Sequence, residues 1–297
     1  MIDVAVVGYG NVGRCAVQAV QAAPDLHLAG VVLHREGQIP PELEGCQVEP
    51  QIDRLSHRPQ VVLLCVPSRS APGLAQVYLA QGFCTVDSFD IHPQIWETRC
   101  QLDGVAKAHG VAAVLSAGWD PGTDSVVRTL MEVCAPRGIT YTDFGPGMSM
   151  GHTVAAKKTP GVADALSLTV PMGTGLHRRV VYVQLAPGYS HQEVSRAILA
   201  DPYFAGDETR VVAVEDVRQL LDMGHGVHMT RKGVSGITHN QNLAFSMSIN
   251  NPALTAQVMV GAARAALQLA PGCYTLPEVP MTSLLPGTLK EKISRLV

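Results

Sequence analysis

The sequence predicts an α/β chain: a doubly wound parallel sheet at its start, then an α+β part with a mixed or antiparallel sheet. Three observations carry that expectation. An apolar run, Val4 to Val7, feeds straight into Gly8, Gly10 and Gly13 with helix-forming residues behind them, the order of a strand, a tight turn and a helix. Continuous apolar runs such as Gln60 to Val66 follow, as expected of parallel strands covered on both faces. Beyond Thr123 the apolar residues recur at period two, with few long helices between them.

The opening stretch reads as a Rossmann-like dinucleotide fingerprint. Gly8 allows the sharp turn, Gly10 lets backbone approach a pyrophosphate, and Gly13 lets the helix pack on the sheet. Asn11 and Val12 then open a helix whose free N–H groups and partial positive charge suit phosphate. The next strand, Leu26 to Leu33, runs into His34 and Arg35. An NAD site wants a carboxylate at this strand end, and an NADP site wants a cation. Arg35 is placed to pair with a 2′-phosphate, so NADP is the expected cofactor. Glu36 is the displaced-acid alternative, which alternation along an extended chain points away from Arg35.

Residues 34–59 are irregular and carry no legible chemistry. The run Gln60 to Val66, which includes Cys65, ends in Pro67, Ser68, Arg69 and Ser70, with Ser70 expected to cap the helix that follows. Ligands of such sheets lie beyond the carboxyl ends of strands, so this loop borders the cofactor; a plain helix start is the alternative. A strand from Phe83 to Asp87 delivers the turn Ser88-Phe89-Asp90 and a helix from about Pro93 to Ala108. A further strand, Val111 to Ser116, delivers Ala117-Gly118-Trp119-Asp120-Pro121-Gly122. Asp90 and Asp120 each stand just past a strand's carboxyl end, where the nicotinamide lies. Either alone reads equally as a helix cap; two at equivalent strand ends point to a site.

In the second part, a helix over 124–135 precedes a strand from Ile139 to Phe144 and the glycine-rich run Gly145 to His152. Extended segments follow at Ala165 to Val170, Arg178 to Leu185, Val211 to Val214, Gly226 to Arg231 and Leu243 to Ile249. Asn250-Asn251-Pro252 then starts an apolar helix, Pro252 to Leu269, able to pack on the first domain or across a dimer. The division is a dinucleotide-binding domain over 1–120, completed by the tail over 272–297, and a substrate and dimerisation domain over 121–271. Thr169 lies in an extended run, where β-propensity alone accounts for it better than a pocket does. Of Arg178 and Arg179 one faces inward, and an inward arginine needs a carboxylate from protein or ligand. His225 sits in a glycine-flanked turn, unlike core; His152 and His228 read as structural or surface residues. These histidines lack HxxxH or HExxH spacing, so no metal is expected.

Composition narrows the classes. The 297 residues suffice for about two domains. A net charge of −3, from 22 basic and 25 acidic residues, argues against a nucleic-acid partner. No apolar run approaches ~20 residues, so no membrane is expected. The first residues open directly into a strand, leaving no room for a leader, and a cytoplasmic protein is expected. Seven cysteines without CxxC spacing read as small buried hydrophobes in a reducing compartment.

VVGYGNVGR (6–14), CVPS (65–68), VDSFDIH (86–92), AGWDPG (117–122), FGPGMSMGH (144–152) and the Asn250-Asn251-Pro252 end are together more specific than the glycine turn alone. On these segments the chain resembles the meso-diaminopimelate dehydrogenases along its whole length. The resemblance implies NADP-dependent oxidative deamination of the D-centre of meso-2,6-diaminopimelate to L-2-amino-6-oxopimelate and ammonia, reversible as reductive amination, in lysine and cell-wall precursor metabolism. It implies homodimers or larger assemblies of them. It further implies that Asp90, Trp119 and Asp120 surround the reacting centre, with Phe144, Met150, Gly151 and His152 as the next wall. Thr169, Arg179, His225 and Asn251 would hold the distal L-centre. Met150 stands where other members carry Gln, and the second domain is shorter, which together suggest a more open pocket that also takes smaller 2-oxo acids. The rival readings are a related reductase, such as a dihydrodipicolinate reductase or aspartate dehydrogenase, and an NADP-binding redox sensor without turnover.

Overall fold

Alternation along the first strand decides the architecture of the amino-terminal part. In β1 (Ile2–Val7), Val4 and Val6 enter one hydrophobic core while Ala5 and Val7 enter another on the opposite face. A strand buried on both faces needs helices on both faces. The computed structural model describes residues 1–33, 39–220 and 225–297, excluding the Met150 side chain. It divides into two units, Met1–Thr129 with Pro252–Val297, and Leu130–Asn251.

From β1 the chain passes through α1 (Asn11–Ala22), β2 (Leu26–Val32), a short β3 (Val48–Glu49) and β4 (Val61–Leu64). It continues through α2 (Ala71–Ala80), β5 (Cys84–Asp87), α3 (Ile95–His109), β6 (Ala112–Leu115) and α4 (Thr123–Cys134). Then come β7 (Arg137–Phe144), β8 (Gly147–Met148), α5 (Met150–Lys157), β9 (Val162–Gly173) and β10 (Leu176–Leu185). The rest is α6 (His191–Ala200), β11 (Glu208–Ala213), β12 (His225–Ser235), β13 (Thr238–Ile249), α7 (Asn251–Ala266), β14 (Gly272–Thr275) and α8 (Leu289–Leu296).

The first unit is a seven-stranded sheet in the order β14-β6-β5-β4-β1-β2-β3, parallel throughout. The order reverses between β1 and β4, the place where such sheets bind ligands. One core joins this sheet to Ala16, Val17 and Val20 of α1 and to Met259, Val260 and Ala263 of α7. The other joins it to Tyr78 and Leu79 of α2 and Leu102 and Ala106 of α3. Helix α7 therefore packs on the first unit, one of the two options left by its sequence. Two bidentate ion pairs fasten the returning chain: Arg264 to Asp25, both bonds 2.8 Å, and Arg99 to Glu278 at 2.6 and 2.9 Å.

The second unit holds a mixed sheet, β11-β10-β9-β8, and an antiparallel one, β13-β12-β7. Helices α5 and α6 cover the mixed sheet through Ala156, Val194 and Ile198.

Several local expectations need correction. The units part at residues 129/130 and 251/252, inside α4 and α7, rather than at 120/121 and 271/272, because α7 is apolar on the side that meets the first sheet. Ser70 precedes α2 but makes no capping bond: its backbone is already helical, and the amides of Ser70 and Ala71 donate to the Pro67 and Ser68 carbonyls. Among the seven cysteines, all free, Cys100 and Cys134 are exposed on helix surfaces rather than buried.

Candidate active site

The glycine turn has the geometry its spacing implies. Gly8 lies at φ +91°, and a Cβ there would stand 2.4 Å from the Cys65 carbonyl oxygen. A Cβ on Gly13 would stand 2.3 Å from the Gly8 carbonyl, so strand, turn and helix touch backbone to backbone. At Gly10 the Cβ position is open to 4 Å, leaving room for a ligand to approach the chain. Helix α1 starts there with no side-chain cap and no acid in its first turn, so the amides of Asn11, Val12 and Gly13 can serve an anion. These residues fit a dinucleotide pyrophosphate. His34 and Arg35, which should choose between NADP and NAD, lie outside the described residues.

Across the switch point, Cys65, Pro67 and Ser68 follow β4. The Ser68 hydroxyl donates to Asp90 Oδ1 at 2.6 Å, tying this loop to the turn after β5. Strands β5 and β6 are paired through Thr85–Ala113 and Val86–Val114, so Asp90 and Asp120 follow adjacent strand ends. Asp120 is largely buried, accepts from Arg128 Nη1 at 2.9 Å and has His92 Nε2 at 3.8 Å. Trp119 is buried beside it. Asp124, not singled out by sequence, is fully buried one helical turn on, and its carboxyl faces Trp119, Asp120 and Arg128. Burial, then the Asp120 charge, push its pKa up to about 7.

In the second unit a row of strand partners assembles the polar residues. Gly147 pairs with Thr169 and Thr169 with Arg179. Arg179, not Arg178, faces inward, with 7% of its surface exposed. The carboxylate it requires is Asp207: Arg179 Nε and Nη2 donate to Asp207 Oδ2 at 2.8 and 2.6 Å, and Nη1 donates to Thr169 Oγ1 at 3.3 Å. Arg178, on the outer face, pairs with Glu208 at 2.9 Å. Register explains the match, since β10 and β11 run side by side with Arg178 opposite Glu208 and Arg179 opposite Thr209.

His152 joins this cluster. Its Nε2 lies 3.9 Å from Asp207 Oδ2, and its Nδ1 meets Ser149 Oγ at 2.9 Å, against the rings of Tyr203 and Phe204. Burial, then Arg179, hold its imidazole below the ordinary histidine range. Gly151 stands against the Tyr203 ring, where a Cβ would meet it at 3.6 Å. Met150 opens α5, and its side chain is outside the described residues.

Phe144, His225 and Asn251 collect at one end of the antiparallel sheet. Phe144 pairs with Val227, two residues beyond His225, and His225 pairs with Ile249, two residues before Asn251. Burial holds the His225 imidazole below its ordinary range. Gly145 stitches this sheet to the other one. At φ +97°, it donates to the Gly226 carbonyl at 2.7 Å, and a Cβ there would lie 2.2 Å from the Thr169 carbonyl oxygen. Only glycine lets the backbone after Phe144 pass this close to the Thr169 carbonyl. Sequence reading missed Asp124, Arg128 and Asp207. The adjacent acids Asp207-Glu208 ahead of a strand, matching Arg178-Arg179, were the available signal for the last.

Comparison with known proteins identifies the family. The family model Diaminopimelic acid dehydrogenase C-terminal domain matches residues 118–176, which contain Trp119, Asp120 and the glycine-rich run. A meso-diaminopimelate D-dehydrogenase of Bacteroides fragilis is 55% identical over 297 residues, covering 100% of this chain and 99% of its own. The chain belongs to the meso-diaminopimelate D-dehydrogenase family. Its fold follows the family: the structure described as C. glutamicum DAP dehydrogenase in complex with DAP superposes with a TM-score of 0.84 at 28% identity, covering 100% of this chain and 99% of that one. An engineered D-amino acid dehydrogenase bound to NADP+ superposes with a TM-score of 0.80 at 28% identity and the same coverage.

Proposed function

We propose that this protein oxidatively deaminates the D-centre of meso-2,6-diaminopimelate to L-2-amino-6-oxopimelate and ammonia, with NADP+ as oxidant, and catalyses the reverse amination. The observation that carries this is the 55% identity, along the entire chain, with a curated enzyme of that name. A DAP-bound and an NADP+-bound structural neighbour support the two ligands.

When bound, NADP+ would supply the acceptor for the hydride that leaves the substrate Cα. Gly8, Gly10, Asn11, Val12 and Gly13 would hold its pyrophosphate, with Cys65, Pro67, Ser68 and Ser70 along the loop and His34 and Arg35 at the 2′-phosphate. The substrate ammonium must lose a proton before hydride leaves, because only the free amine lone pair stabilises the developing cation; hydride loss leaves an imine at the substrate carbon, and one water adds to it to give the 2-oxo acid and release ammonia. Asp120 accepts that proton, with Trp119 beside it. Asp90, held by Ser68, anchors the same amine. Arg179, with Thr169, His225 and Asn251, grips the distal carboxylate; a grip at a set distance from the reacting carbon selects which centre reacts. Phe144, Met150, Gly151 and His152 would form the next wall of the pocket. We further propose a cytoplasmic homodimer formed through the second unit, whose strand β13 is an open sheet edge.

The test is NADP+ reduction with meso-, LL- and DD-diaminopimelate side by side. The meso isomer should be turned over and the LL isomer should not. Equal rates with meso and LL, or no reduction with meso, would overturn the proposal. Light scattering should give twice the chain mass of 31.5 kDa.

A further inference from the structure

The distal end of the proposed substrate carries a carboxylate and an ammonium on one carbon, and Arg179 answers only the first. We propose that Asp207 is a specificity-determining residue that reads the distal ammonium, so that Arg179 and Asp207 together recognise an amino-acid zwitterion and not a carboxylate alone. This rests on the reading of Arg179 as the distal grip.

The guanidinium geometry leaves room for both partners. A guanidinium has five N–H donors arranged along two usable edges. Asp207 Oδ2 takes the side edge, Nε and Nη2, at 2.8 and 2.6 Å. Thr169 takes one Nη1 proton at 3.3 Å. One proton on each terminal nitrogen remains, which is the set a ligand carboxylate needs. Asp207 thus orients Arg179 without consuming its carboxylate-binding end.

Asp207 also keeps acceptor capacity of its own. Both arginine bonds and the 3.9 Å approach of His152 Nε2 fall on Oδ2. Oδ1 accepts no hydrogen bond among the described residues, and the Asp207 side chain is 31% exposed, against 8% for Arg179. The loop that presents it is fixed: Asp207 N donates to the Phe204 carbonyl at 3.3 Å, Thr209 Oγ1 donates to the Phe204 and Asp207 carbonyls, and the Phe204 side chain is fully buried. An acceptor with one oxygen occupied and the other unengaged among the described residues, beside a buried cation, is the complement of an ammonium next to a carboxylate.

Charge counting gives the selectivity its sign. Arg179 and Asp207 form a neutral pair, and a zwitterionic ligand end leaves it neutral. A ligand end bearing only a carboxylate brings an uncompensated negative charge to a half-buried site, at a cost. The wild type should therefore prefer meso-diaminopimelate over D-2-aminopimelate, which has the same reacting centre and distal carboxylate but no distal ammonium. Asp207→Asn keeps the shape and an acceptor for Arg179 but removes the charge.

The experiment measures kcat/KM for both substrates with wild type, Asp207→Asn and Arg179→Met, using thermal melting and NADP+ fluorescence titration to verify the fold. For wild type we expect a preference of about 10-fold or more for meso-diaminopimelate, the scale of a charge-assisted contact at a half-exposed site. In Asp207→Asn that ratio should collapse, with D-2-aminopimelate retained or improved. Equal losses on both substrates would reduce Asp207 to an orienting role and overturn the proposal. So would a wild type indifferent to the ammonium, a result that needs no variant at all. Arg179→Met reports separately on the underlying reading: if it weakens neither substrate, the distal grip itself is misplaced.

Discussion

Asp120 and Asp124 lie one helical turn apart and are treated oppositely by their surroundings. Asp120 has the Arg128 guanidinium at 2.9 Å, whereas Asp124 is buried with its pKa pushed up to about 7. The first arrangement orients a carboxylate against a cation; the second holds a proton near neutral pH. Asp120→Asn should lower kcat by roughly 10²–10⁴-fold, the usual loss on removing a general base, with NADP+ affinity unchanged in a fluorescence titration. Near-normal turnover would remove Asp120 from the proton path. For Asp124 the consequence falls on stability. An acid whose folded pKa lies above its unfolded value stabilises the fold most below the unfolded pKa and loses that contribution as pH rises through the folded value. Urea denaturation of Asp124→Asn and wild type from pH 4 to 8 should move in the variant's favour as pH rises, by on the order of 2–4 kcal/mol, all of it gained by about pH 7. Parallel curves would contradict the buried acid.

At the scale of elements, the capping box of α6 gives a direct measurement. Ser190 accepts from the Glu193 amide while the Glu193 carboxylate accepts from the Ser190 amide and hydroxyl. Ser190→Ala should cost about 1 kcal/mol, read as a lower urea midpoint at unchanged m-value. That box, Ser-x-x-Glu, is legible in the sequence, yet α6 buries only Val194 and Ile198, too thin a stripe for apolar periodicity to register. The parallel strands were readable because both faces are buried and the runs are unbroken, as in Val61 to Leu64. Strand β14, four residues with a glycine and a threonine, owes its existence to β6 beside it rather than to its own pattern. The candidate site divides in the same way. Gly8, Asp90 and Asp120 announce themselves by position after strands, and Arg179 by alternation. Asp207 and His152 become partners only when β9, β10 and β11 are laid side by side, a long-range outcome that no local window contains.

Over the whole molecule, the carboxyl-terminal 46 residues, Pro252–Val297, belong to the unit built by the first 129, and they supply Met259, Val260, Leu276 and Val279 among others to one core as well as the edge strand. The Arg264–Asp25 pair is the fastening whose loss is simplest to read. Arg264→Met should destabilise by about 2–4 kcal/mol, less than a fully buried pair because Asp25 is 35% exposed. The Asp25 pKa is held below its ordinary value chiefly by that bond, so the pair's contribution is present above the usual carboxylate range and fades as pH falls through the lowered pKa. The variant's deficit should accordingly shrink in acid, measured by denaturation at pH 7 and pH 3. Truncation at residue 251 should leave no cooperative melt from the first unit. The exposed thiols have a practical corollary. Cys100 belongs to the first unit and Cys134 to the second, while Cys65 and Cys273 are shielded and burial pushes their thiols up, Cys65 to about 12. With Cys15 and Cys46 replaced by serine, maleimide dyes on the two outer positions form a native ruler. Energy transfer between them would report, titration point by titration point, whether ligand binding shortens the span from one half of the enzyme to the other.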